Sequence, residues 1–166
     1  MVHHTWPDTC RIYPNVELGP GAEIGEFVII GLPPRGKAAG QLATVIGSNA
    51  VIRSHTVIYA GNVIGDEFQT GHAAMVRELN KIGHNVSIGT HTVIEHHVNI
   101  EDDVRIHSQA FIPEYSVLEQ ACWIGPNVVF TNALYPRSAG AKHHLNGPRI
   151  CRDAKIGANS TLLPGS

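Results

Sequence analysis

Residues 82–106 read IGHNVSIGTHTVIEHHVNIEDDVRI, and an aliphatic residue returns at every sixth place: Ile82, Ile88, Ile94, Ile100 and Ile106. Extended in both directions, the same step runs from Ile46 to Phe130 over fifteen positions, thirteen of which are Ile, Leu or Val. Thr70 and Phe130 are the other two. Two residues before each aliphatic position stands a mostly small residue, such as Ala50, Thr56, Ala74, Thr92, Ala110, Ser116 or Cys122, and the residue after it is often Gly. Positions two apart point the same way on an extended strand. Each hexad therefore reads as a short strand with two inward side chains, followed by a turn. An α-helix is excluded, because six is not a multiple of 3.6 and the glycines would be costly there.

Three hexads close a triangular coil of eighteen residues, so residues eighteen apart stack at about the 4.8 Å strand spacing. The fold class is all-β, a parallel β-helix of hexapeptide repeats. The period also appears at Leu18, Ile24 and Ile30, and again at Ile150, Ile156 and Leu162. Residues 1–17 are expected to form an N-terminal cap and 18–166 the β-helix. Two insertions slip the register. One, at 32–44, holds Pro33-Pro34-Arg35-Gly36; the other, at 131–149, holds Tyr135-Pro136-Arg137 and Asn146-Gly147-Pro148. Insertions in a solenoid gather on functional faces.

Composition narrows the function. Net charge is −2 with no basic run, so no nucleic-acid partner is expected. No apolar stretch is long enough to span a membrane. The N-terminus shows no signal-peptide pattern. Cys10, Cys122 and Cys151 are scattered and odd in number, which fits buried thiols in a reducing cytoplasm.

Counting in eighteens shows which turn residues are neighbours. One column reads Glu78, His96, Glu114, Asn132, and the adjoining one Tyr59, Arg77, Glu95, Pro113, Thr131. His96 is thus expected between two carboxylates with Glu95 beside it. A further column reads His55, Ala73, His91, Gln109, Asn127.

The segment Gly125-Pro126-Asn127-Val128-Val129-Phe130-Thr131-Asn132 through Tyr135-Pro136-Arg137 resembles a signature of hexapeptide-repeat N-acetyltransferases that modify nucleotide-linked amino sugars. That resemblance implies a left-handed coil and transfer of an acetyl group from acetyl-CoA to an amine, with O-acetyl transfer to a hydroxyl as the alternative, for surface-polysaccharide precursors. Acetyl-CoA would be a co-substrate, with no tightly bound cofactor and no metal. It also implies a cytoplasmic homotrimer with sites between subunits. Glu114, Asn127, Asn132, Tyr135 and Arg137 are expected to be substrate-site residues, and Gln109 stands where such enzymes often place an Asn near the acceptor amine. Ile94-Glu95-His96 is similar to a V-E-H-D stretch whose histidine is a general base; here the fourth residue is His97. Glu78 or Glu114 is the expected substitute for the missing Asp. Relatives usually continue beyond Leu162-Leu163-Pro164-Gly165 into further coils that help bind coenzyme A, so either this sequence is a fragment or its acyl-donor site is incomplete.

Two other readings follow from the same residues. His55, His91 and His96 could form a zinc set of the kind found in γ-carbonic anhydrases, which share the fold and contain an H-x4-H pair. Alternatively, the chain is a non-catalytic binding or scaffolding β-helix.

Overall fold

A computed structural model describes residues 6–166; residues 1–5 of the expected cap lie outside the described residues. The chain is a left-handed parallel β-helix, and its three faces follow from three six-residue repeats per coil. Three parallel sheets form its faces. Sheet A contains Arg11–Ile12, Ile29–Leu32, Val57–Tyr59, Met75–Val76, Val93–Ile94, Phe111–Ile112, Val129–Phe130 and Thr161–Leu162. Sheet B runs from Val16–Leu18 to Arg149–Ile150, and sheet C from Glu23–Ile24 to Lys155–Ile156. The stacked strands thus begin at Arg11, inside the stretch assigned to the cap, because Ile12 already sits on the six-residue step of Leu18, Ile24 and Ile30.

Pairing follows the eighteen-residue rule: Met75 lies against Val93 and Val93 against Phe111. Inside, Ile30, Ile58, Val76, Ile94, Ile112 and Phe130 form one fully buried column, with matching columns behind the other two sheets. Burying each such side chain is worth about 1.5–3 kcal/mol. The turns are made by one left-handed residue per hexad. Between residues 55 and 127 twelve non-glycine residues take this conformation, among them His55, His91, His97, Gln109, Tyr115 and Asn127. Glycine is required for a different reason just after the strand, where coils touch: a Cβ on Gly65 would lie 2.8 Å from the backbone carbon of Gly83. Every buried side-chain polar atom among the described residues has a partner.

The inserts keep the stack in register. Leu18 pairs with Ile46, 28 positions on instead of 18, so ten residues are extra. Val129 pairs with Thr161, 32 positions on, so fourteen are extra. Leu32, Thr44 and Arg149 belong to strands, which leaves 33–43 and 131–148 as the loops. Both loops leave sheet A and return to sheet B, so they project from the same edge of the prism.

The cysteines divide by position: Cys122 is an inward core residue, Cys10 is half-buried and Cys151 is exposed. The expectation of three buried thiols therefore holds for one of them, since Cys151 begins a turn instead of filling an inward place. Burial, with smaller contributions from Glu119 and Glu101, pushes the Cys122 thiol up to about 12. At pH 8 a small alkylating reagent should modify Cys151 rapidly and leave Cys122 unmodified until the protein is unfolded. Mass mapping of the labelled native protein checks this, and rapid labelling of Cys122 would contradict the core assignment.

Candidate active site

The edge between sheets A and B differs from the other two at its inward turn position. Most coils there hold Ala, Val or Thr, whereas this edge buries Asn62 and Asn80, one above the other. Asn62 Nδ2 donates to the Tyr59 carbonyl at 2.7 Å and to that of Arg77 at 2.8 Å. Asn80 Nδ2 donates to the same Arg77 carbonyl at 2.8 Å. Their side-chain oxygens accept from the backbone N–H of Asn80 and Val98, at 2.9 and 2.7 Å. The two amides thus bind successive turns together and hold fixed the backbone from which the polar side chains project.

Those side chains form two neighbouring groups. Arg77 stacks on the Tyr59 ring at 5.0 Å and grips Glu78 with two hydrogen bonds, Nε to Oε2 at 2.9 Å and Nη2 to Oε1 at 3.1 Å. Its remaining Nη1 donates to Glu95 Oε2 at 3.3 Å. His96 and His97 meet through their Nδ1 atoms at 2.8 Å, one donating to the other. His96 Nε2 faces Glu114 Oε1 at 3.6 Å, while Glu114 Oε2 accepts from Asn132 Nδ2 at 2.7 Å. Tyr115 closes the side, its ring 5.6 Å from that of His97.

Glu95 and Glu114 therefore differ in what they do. Glu95 is engaged by Arg77, one coil away, and Glu114 is the carboxylate that faces the imidazole. His97, in the place of the missing Asp, contacts His96 directly. Arg77, Tyr59, Asn62 and Asn80 had no role assigned from sequence. The signal for the asparagines was present, as polar residues eighteen apart at positions where the repeat otherwise puts small apolar ones.

Gln109 and Asn127 are elsewhere. They lie with His55 and His91 in turns from sheet C to sheet A, where their backbone N–H groups donate to Thr90 and Ser108 carbonyls. Sheet A separates this edge from His96, so one chain alone does not bring them together. The same holds for His55, His91 and His96: His91 and His96 stand at opposite ends of the Val93–Ile94 strand, and His55 stacks on Phe27 at 5.0 Å. Among the described residues no group of three His, Cys, Asp or Glu side chains converges as a metal site. Tyr135 and Arg137 lie in the 131–148 loop, in a tight turn closed by the Ser138 N–H on the Tyr135 carbonyl at 3.3 Å. That loop is tied at its base by the Asn146 N–H on the Asn132 carbonyl, and encloses a cavity of about 310 Å³ lined by Ala133, Leu134, Tyr135, Ser138, Ala141 and His144.

No family model matches the chain, and no curated protein matches it. Solved structures do resemble it in fold. The UDP-N-acetylglucosamine O-acyltransferase of Moraxella catarrhalis RH4 is 16% identical, with a TM-score of 0.46 over 94% of this chain and 66% of that one. The UDP-N-acetylglucosamine acyltransferase of Bacteroides fragilis 9343 is 16% identical, with a TM-score of 0.36 over 93% and 68%. That of Francisella novicida is 18% identical, with a TM-score of 0.32 over 90% and 59%. The chain spans about two thirds of the length of the first of these.

The two carboxylates bound by Arg77 titrate in opposite directions. Burial pushes Glu78 up, but the Arg77 hydrogen bond, a backbone bond and the Arg77 and His96 charges outweigh it, so its carboxyl falls below the ordinary value of 4.5. Burial keeps Glu95 above that value, with Glu114 adding to the shift and Arg77 opposing it. Glu78 thus contributes stability above pH 4.5 that is lost as pH falls through its lowered value; Glu95 contributes below 4.5 and loses its contribution as pH rises. Arg77→Met leaves both carboxylates unpaired when ionised. It should destabilise the fold by about 1–3 kcal/mol at pH 7 and by clearly less at a pH low enough to protonate Glu78 as well as Glu95. Denaturant melts at the two pH values check this. An equal loss at both would assign Arg77 a packing role on Tyr59 alone.

Proposed function

We propose that this edge catalyses transfer of an acetyl group from acetyl-CoA to the amine of a nucleotide-linked sugar. The observation that carries the reading is the chain His97–His96–Glu114–Asn132, an imidazole hydrogen-bonded on one side by His97 and facing a carboxylate on the other, beside the 131–148 loop. The resemblance of residues 125–137 to sugar-nucleotide N-acetyltransferases supports the same reaction, and the fold is shared with acyltransferases acting on UDP-N-acetylglucosamine.

The neutral amine attacks the thioester carbonyl, forming the C–N bond and a tetrahedral oxyanion. His96 takes the proton released by the nitrogen. When His96 donates Nδ1–H to His97, its Nε2 carries the free lone pair, and the 3.6 Å gap to Glu114 leaves that nitrogen without a hydrogen-bond donor. Glu114, steadied by Asn132, then stabilises the imidazolium. Collapse of the intermediate breaks the C–S bond, and the imidazolium returns the proton to the departing sulfur, giving the amide and free coenzyme A. Arg137 meets a phosphate of the nucleotide, for which its charged fork is suited, and Tyr135 lies beside it.

The reading includes a homotrimer in which a neighbouring copy brings Gln109 and Asn127 to His96. The outer face of sheet A supports it, presenting Ile29, Val57, Met75, Val93, Phe111 and Val129 in one apolar row between the two edges. A cytoplasmic location goes with acetyl-CoA as donor, and the three unpaired cysteines are compatible with it.

The test is release of coenzyme A thiol with a panel of amino-sugar nucleotides, with the product identified by mass spectrometry. His96→Gln should lower kcat by about 10² to 10⁴-fold with little change in melting temperature. Wild-type protein that acetylates none of the panel would overturn the reaction, and a His96→Gln variant with wild-type kcat would overturn the base assignment.

A further inference from the structure

Both inserts carry exposed cations and no carboxylate. Residues 33–43 and 131–148 contain Arg35, Lys37, Arg137 and Lys142, four of the twelve Lys and Arg residues, and none of the fourteen Asp and Glu. The whole chain has net charge −2. All four cations are exposed, and none has a carboxylate within ion-pair distance among the described residues.

The lower insert is built to present its pair. Pro34, Arg35, Gly36 and Lys37 make a tight turn closed by the Lys37 N–H on the Pro34 carbonyl at 3.0 Å, with Gly36 at φ 82. Pro34 is buried, and the return limb is pinned by the Gln41 side chain on the Ala38 N–H and by Asn15 Nδ2 on the Gly40 carbonyl, both at 3.0 Å. Arg35 and Lys37 thus stand together at the tip of a braced loop. A cation pair displayed this way suits the oxygens of a phosphate or diphosphate, with little ordering entropy lost on binding.

Placement relative to His96 gives the pair a purpose. Leu32 stacks on Tyr59, and the column continues through Arg77 to Glu95, three coil steps or about 14 Å at the strand spacing. On the other side, Glu95 to Thr131 is two steps, about 10 Å. One edge therefore presents cations, then the Glu78–Glu95–His96–Glu114 cluster, then cations again. The two co-substrates of an acetyl transfer would match it, since each carries an internal diphosphate set back from its reacting group, and the amine and thioester meet in the middle.

We infer that Arg35 and Lys37 form a second diphosphate-binding site on this edge, separate from Arg137, for a co-substrate of the reaction. The inference rests on the acetyl-transfer reading for the identity of that co-substrate, which is either coenzyme A or the sugar nucleotide. The ligand chemistry, a diphosphate ester, is common to both.

The test is equilibrium dialysis of coenzyme A, UDP and inorganic pyrophosphate against wild-type protein and the double variant Arg35→Ala/Lys37→Ala. Both residues are exposed on a loop, so the variant should keep the wild-type melting temperature. Affinity for either coenzyme A or UDP should fall about tenfold or more, as losing charge-assisted contacts implies, and pyrophosphate binding should fall with it. A fall confined to coenzyme A assigns the site to the acyl donor, and one confined to UDP assigns it to the acceptor. Unchanged affinity for all three, or a wild type that binds none, overturns the site. A wild type that binds diphosphates through Arg35 and Lys37 yet transfers no acetyl group overturns the transferase reading and leaves the site standing. Acetyl transfer with an unaffected double variant does the reverse.

Discussion

Everything in this molecule depends on the stacking of each coil on the one eighteen residues before it. A strand of two or three residues has almost no stability alone. Here each is held by backbone hydrogen bonds to the coils on either side and by an inward aliphatic side chain lying on its own counterparts. The Val57 N–H bonds the Ala74 carbonyl and the Met75 N–H that of Thr92, while Ile58, Val76 and Ile94 stack behind them. The stack tolerates interruption only where a loop can leave and return without shifting the ladder, as the ten and fourteen extra residues do.

Stacking also turns a linear sequence into chemistry. Side chains at one turn position are placed about 4.8 Å apart along an edge, close enough for ion pairs and hydrogen bonds between successive coils. On the edge between sheets A and B this produces two linked pieces. Arg77 engages Glu78 and Glu95, and Glu114 is left to face His96 and accept from Asn132. The buried Asn62–Asn80 pair beneath them gives the turns a rigidity that small apolar residues would not. Without Arg77, three carboxylates would crowd one imidazole. With it, two are neutralised in place and the third is available.

How much of this could be read from sequence follows from the same geometry. The His96–Glu114–Asn132 column comes from counting in eighteens, because no insert interrupts residues 96–132. Which carboxylate faces which cation does not follow from counting, since Arg77 can reach Glu78 on its own coil as easily as Glu95 on the next. The separation of Gln109 and Asn127 from His96 was legible but needs one more step. His91 and His97 occupy equivalent places in consecutive hexads, so they belong to adjacent edges. That both inserts project from one edge was not legible in the same way. Their return register is set by pairing across the gap, Leu18 on Ile46 and Val129 on Thr161, and not by the period itself.

We propose an acetyl-CoA-dependent transferase in preference to a zinc hydratase using His55, His91 and His96 or a scaffold without chemistry. Calorimetric titration of acetyl-CoA into protein of measured metal content separates the three. A transferase should show saturable binding at about one site per chain, and the same heat with zinc absent. No binding of acetyl-CoA, with about one tightly held zinc per chain, would contradict it in favour of the hydratase; neither ligand nor metal would leave the scaffold.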